Sequence, residues 1–160
     1  MLICIDLSKT YFALKDLGIT INYDELLEVI KEKVNSSGDK EVELEGFTVA
    51  DYRNIGQRRF LSKIQEMGVK LHSWPHDSGP PNFSAEISAC AALSDHEEIV
   101  FVSNDSSLIR VFEILREKGK RPSLSFFSEK LEGKWAPTII KGEVDFVDLS
   151  AKDVMSRIVA

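Results

Sequence analysis

The sequence predicts an α/β domain built as a three-layer open, mainly parallel sheet with helices on both faces. Three observations predict it. Short apolar runs of β-forming residues alternate with helical patterns from one end of the chain to the other, the order produced by successive βαβ units. The length of 160 residues suits one sizeable core. No repeat, low-complexity tract or linker divides the chain, so a single domain over residues 1–160 is expected.

The elements follow in order. LICID, residues 2–6, is a continuous apolar run ending in an acid and reads as a buried strand. Residues 7–22 are assigned no element. YDELLEVIKEKV, residues 23–34, carries Leu26, Leu27, Ile30 and Val34 at helical spacing, with Asn22 or Asp24 as cap. NSSGDK is a turn, and EVELEGFTV alternates as a strand. NIGQRRFLSKIQEMG is a helix closed by Gly68, and VKLHSW a strand. The prolines and glycine of PHDSGPP forbid regular structure. NFSAEISACAALSD is a helix of small residues with Asn82 or Ser84 near its start. A strand over 98–103 and a helix over 106–118, closed by Gly119, come next. PSLSFF is a strand, SEKLEGKWAP a short helix or loop, VDFVDL a strand, and SAKDVMSRIV a terminal helix with Ser150 as candidate cap.

Composition narrows the function. Hydrophobic content of 43% and charged content of 29% are those of an ordinary globular protein. No apolar run approaches the ~18 residues that cross a bilayer, and MLICIDLSKTY has neither the basic start nor the uninterrupted apolar stretch of a signal peptide. Cys4 and Cys90 sit among apolar neighbours and read as reduced core residues of a cytoplasmic protein. A net charge of −6 opposes general polyanion binding. A nucleic-acid partner therefore requires clustered basic residues or a metal ion that offsets local negative charge. No G-x-G-x-x-G or Walker loop follows any strand, which disfavours a dinucleotide or P-loop site.

In an open parallel sheet, chemistry collects beyond the carboxyl ends of the strands. Asp6 ends the first predicted strand and Asp105 follows the strand over 98–103. Glu86 is the lone acid on a helix of Ala, Ser, Ile and Cys. Each has an ordinary role open to it: Asp6 and Asp105 as caps, Glu86 as a surface residue. If the three converge, two carboxylates about 4 Å apart repel by about 4 kcal/mol at an effective dielectric near 20. Such a site raises a pKa or takes a cation, and oxygen ligands favour Mg²⁺ or Mn²⁺.

These residues, together with LICIDLSKTYFAL, NFSAEISACAAL, IVFVSNDSSLIRVFEILREKGKRP, SEKL and VDFVDL, resemble the NYN domain family, a branch of the PIN-like ribonuclease fold. The resemblance spans residues 2–149 and implies a metal-dependent nuclease that hydrolyses RNA, single-stranded or structured, with Mg²⁺ or Mn²⁺ as cofactor. It implies that Asp6, Glu86 and Asp105 are the catalytic and metal-binding acids; Lys9, Asn104 and Ser107 beside them, and the basic pair Arg58 and Arg59, are the candidate substrate contacts. The family's second acid in the strand-to-helix motif falls on Ser107, its early Asn on Lys9, the basic residue before the helix acid on Phe83, and the motif glycine on Asn104. Trp74 and Trp135 are candidates to stack bases or to pack in the core. His76 and Asp77 form a candidate proton shuttle. No membrane partner is expected, and a homodimer is compatible with the sequence.

Two other classes compete. One is a catalytically inactive NYN-like module that binds RNA or protein, with Lys9 supplying the missing cation. The other is an adhesion domain of the von Willebrand A type, in which Asp6, Ser8 and Thr10 of DLSKT would face a metal.

Overall fold

The computed structural model describes residues 1–35, 37–75 and 82–160. The strands are β1 (Leu2–Asp6), β2 (Glu43–Ala50), β3 (Val69–Pro75), β4 (Glu98–Val102), β5 (Arg121–Phe126) and β6 (Asp145–Asp148). They form one sheet in the order β3-β2-β1-β4-β5-β6, and every pairing is parallel. The helices are α1 (Leu7–Asp16), α2 (Tyr23–Val34), α3 (Ile55–Glu66), α4 (Ser84–Leu93), α5 (Leu108–Glu117), α6 (Trp135–Ile140) and α7 (Lys152–Ile158). This is the three-layer α/β arrangement expected from the alternation.

Strand alternation sorts the core into two faces. Ile3 and Ile5 of β1, with Val100 and Val102 of β4, pack with residues of α1, α2, α3 and α7. Leu2 and Cys4, with Ile99 and Phe101, pack with residues of α4, α5 and α6. β1 is buried along its whole length, so its side chains are apolar on both faces until Asp6. Gly46 of β2 lies under α1, where a Cβ would come within 2.9 Å of Val69 Cγ1 and 3.0 Å of Leu7 Cδ1. Pro75 ends β3, an edge strand in this order, where a missing N–H is tolerated.

Several elements depart from expectation. α1 begins at once after β1 and fills part of the stretch left unassigned. Its apolar stripe is masked because Ser8 and Thr10 are buried while Tyr11 and Phe12 are 52% and 49% exposed. Asn22 rather than Asp24 caps α2, accepting the Asp24 N–H at 3.0 Å. Ser150 does not cap the last helix; its Oγ accepts the Ser128 N–H at 3.0 Å. The stretch SEKLEGKWAP resolves into a 3₁₀ turn over Ser128–Lys130 and the start of α6. His76 and Asp77 lie outside the described residues.

Candidate functional site

Strand order reverses between β1 and β4, because β1 is followed in sequence by β2 on one side and paired with β4 on the other. Ligands of open α/β sheets bind beyond the strand ends at such a switch point. β1 and β4 run in register from Leu2 opposite Ile99 to Ile5 opposite Val102. Their carboxyl ends therefore release Asp6 and the loop Ser103–Asn104–Asp105 side by side.

Asp6 is the N-cap of α1: its Oδ1 accepts the Lys9 N–H at 2.9 Å. It is 2% exposed. Burial raises its carboxyl to about 6, with the nearby Asp105 charge adding to the rise, while the Lys9 N–H and the Lys9 ammonium oppose it. Asp105 behaves in the opposite way. Burial would raise it, but hydrogen bonds from Ser84 and Ser107 outweigh burial and hold it below the usual carboxylate range. Its Oδ1 accepts the Ser107 N–H at 2.9 Å, and Ser84 Oγ lies 2.5 Å from its Oδ2. Ser84 Oγ is also 2.5 Å from Asn82 Oδ1; its single proton belongs with the charged acceptor. Asp105 bonds its own helix start and also reaches across to α4. The pair is asymmetric, with one carboxylate ionised and the other poised near neutrality.

Ser84 carries no family signal in the sequence, and only the packing of α4 along one face of the sheet brings it to Asp105. The same contact turns Glu86 away. Two residues further along α4, Glu86 sits about 200° around the helix axis from Ser84. It lines a cleft of about 620 Å³ with Glu45, His72, Trp74 and Cys90, and its Oε2 is buried with no hydrogen-bond partner among the described residues. The expected triad of Asp6, Glu86 and Asp105 is therefore a pair with Glu86 apart. Among the described residues, no group of three or more His, Cys, Asp or Glu side chains is arranged to hold a metal ion. Two carboxylates fit a hard ion that keeps most of its water, as Mg²⁺ does; they do not make a closed structural site.

The other expected contacts divide. Lys9 lies close enough for its charge to act on both Asp6 and Asp105. Ser107 donates to Asp105 where an acid was expected from the resemblance. Asn104 braces the loop: its Nδ2 donates to Lys130 O at 3.0 Å, and its carbonyl accepts Trp135 Nε1 at 3.1 Å. Trp135 is fully buried and Trp74 stacks on Phe83 at 5.0 Å, so both have core partners. Arg58 and Arg59 on α3 are exposed. Thr10 Oγ1 donates to the Asp6 carbonyl at 2.8 Å, and Ser8 Oγ lies 3.3 Å from Thr48 Oγ1. Neither hydroxyl faces the Asp6 carboxylate, so the adhesion-type arrangement is not formed.

The sequence also hid a network in the cleft that Glu86 lines. Glu45, 7% exposed, accepts the Cys90 thiol at 2.8 Å and pairs with His72 Nε2 at 2.9 Å. Burial alone would raise Glu45, yet these hydrogen bonds hold it below its ordinary value.

Fold and rim together define a class: a doubly wound parallel α/β protein with a carboxylate pair at the switch point. No family model and no curated protein matches the chain. The crystal structure of a protein of unknown function, VPA0982 from Vibrio parahaemolyticus RIMD 2210633, is similar in fold, with a TM-score of 0.75 and 17% sequence identity. The match covers 95% of this chain and 93% of that one. No helix among the described residues is long and apolar enough to cross a membrane.

Proposed function

We propose that this protein is a divalent-metal-dependent nuclease that hydrolyses RNA phosphodiester bonds, the activity implied by its resemblance to the NYN domain family. The observation that carries the reading is the juxtaposition of Asp6 and Asp105 at the switch point, one carboxylate ionised and the other raised to about 6. Asp6 and Asp105 would hold a Mg²⁺ or Mn²⁺ ion, which when bound supplies charge neutralisation at the phosphate and a more acidic water. Asp105, half-buried and fixed by Ser84 and Ser107, presents a permanent negative charge at the rim. Asp6, ionised once an ion is held, would complete the carboxylate pair around it, and the proton lost by the attacking water would pass to solvent. The leaving oxygen departs in line and takes up a proton from solvent water, which balances the one released. The Lys9 ammonium offsets phosphate charge from the first turn of α1, and Arg58 and Arg59 would meet the backbone further along α3. The two free cysteines suit a reducing, cytoplasmic compartment.

A second reading is an inactive module that binds RNA without cutting it. The near-closure of Asp6 and the displacement of Glu86 favour it. The deciding experiment is cleavage of a labelled single-stranded RNA with Mn²⁺, comparing wild type with Asp105→Asn. The nuclease reading expects cleavage to fall by about 100-fold or more, the scale at which removing one electrostatic catalytic group acts. RNA binding with no cleavage by wild type supports the second reading, and cleavage that Asp105→Asn leaves unchanged overturns the site.

A further inference from the structure

A second cleft lies on the same rim, between α1 and α3 above the carboxyl end of β2. It has a volume of about 510 Å³, within the ~300–1,000 Å³ of sites that take small molecules. Two edge-to-face aromatic pairs belong to its walls. Tyr11 and Phe12 of α1 have ring centroids 5.4 Å apart, and Tyr23 and Phe60 pair at 4.9 Å. Ser8 and Thr48 contribute a hydroxyl pair, 3.3 Å apart. Thr48 Oγ1 donates to the Val49 carbonyl at 2.9 Å and Ser8 Oγ accepts the Val49 N–H at 3.4 Å, so the Ser8 proton bridges to Thr48 and the pair offers the cleft acceptor oxygen only. Gln57 also lines the cleft, and its Oε1 is committed to the Asp51 N–H. Asn54 spends its Oδ1 on the Gln57 N–H at 3.0 Å, leaving its amide nitrogen as a donor.

Charge selects the occupant. Among the described residues no Lys or Arg lines the cleft, and the one acid that does, Asp51, is paired with Arg53 at 3.2 Å. A phosphate or carboxylate has nothing to hold it there. A neutral, flat heterocycle with hydrogen-bonding edges matches aromatic walls and polar groups of both kinds. Half-exposed aromatic rings otherwise cost hydrophobic stabilisation, and Tyr11 and Phe12 remain about half exposed. The cations sit just outside, Arg58 and Arg59 on the exposed side of α3.

We propose that this cleft binds an unpaired nucleobase. Asp6 caps the same helix that supplies Ser8, Tyr11 and Phe12, so a base seated here belongs to a nucleotide near the phosphate at the carboxylate pair. This placement rests on the nuclease reading; the affinity of the cleft for a base does not.

The experiment titrates nucleosides, adenosine and uridine separately, into ¹⁵N-labelled protein and follows amide shifts. Shift changes centred on Ser8, Thr48, Asn54 and Gly56, and weakened about ten-fold in Phe12→Ala and Tyr11→Ala, are the expected result, the lower range of measured base–aromatic stacking. Both rings are half exposed, so the variants are expected to keep the fold, which circular dichroism checks. No shift changes in the cleft, or equal binding of indole, overturns the assignment. RNA cleavage whose KM is unmoved by both variants also overturns it while leaving the nuclease intact. Nucleoside binding with no cleavage retains the base site and removes the nuclease.

Discussion

At the scale of single residues, the molecule turns on how unequally it treats two aspartates. Asp6 and Asp105 share a rim, yet one is closed off and raised while the other is hydrogen-bonded and lowered. A carboxyl raised in the folded state stabilises it only while protonated. For Asp6 that contribution is full below the ordinary value of 3.8 and is lost as pH rises through about 6. Asp6→Asn keeps the cap, since Asn and Asp cap equally well, and removes the charge. The variant is expected to be more stable than wild type at pH 8 by about 1–3 kcal/mol, the worth of a shift of this size. The gap is expected to close at pH 4. Urea unfolding of both proteins at the two pH values measures it, and a constant gap would refute the burial of an ionisable Asp6.

At the scale of elements, the rim depends on how α1 seats on the sheet. The first turn of α1 carries Lys9 and Ser8, and the helix lies against β2 because Gly46 has no side chain there. Gly46→Ala is expected to destabilise by about 1–3 kcal/mol, the usual cost of overpacking a filled core. Val69 is β-branched and stiff, and Leu7 is buried, so neither yields freely. Thermal or urea denaturation reads the loss. The same variant is expected to perturb nucleoside binding in the adjoining cleft, because Leu7 lines it. Much of this level was legible in the chain: β1, α2, the β4–α5 junction and the parallel alternation all follow from periodicity. α1 was not, because it buries two hydroxyls and exposes two aromatic rings, the reverse of an amphipathic helix.

At the scale of the whole molecule, the topology makes the site. Strands distant in sequence end together at the switch point, and their acids meet there because the sheet is parallel and in register. Since Asp6 holds a proton up to about 6, an ion at this pair must displace it. Mn²⁺ binding is therefore expected to weaken by about ten-fold for each pH unit below 6, with one proton released per ion. Calorimetry at pH 5, 6 and 7.5 checks the slope. Mn²⁺ at 100 times its dissociation constant is expected to stabilise the fold by about 2.7 kcal/mol at pH 7.5, and Asp105→Asn to abolish that gain. Binding that is flat across this pH range would remove Asp6 from the ion's surroundings.

What the chain determined by itself is what local rules encode. Alternating apolar runs and amphipathic stretches demand a covered parallel sheet, and strand-ending acids must emerge at its carboxyl edge. Which acids meet was decided only by tertiary packing. α4 packs along one face of the sheet in one rotational setting, and that setting points Ser84 of its first turn at Asp105 and Glu86 into another cleft. Helix rotation follows from how every buried side chain on the face fits its neighbours, here Phe83, Ile87 and Ala91 against Cys4 and Phe101. That fit is a sum over residues distant in sequence, which no local pattern contains.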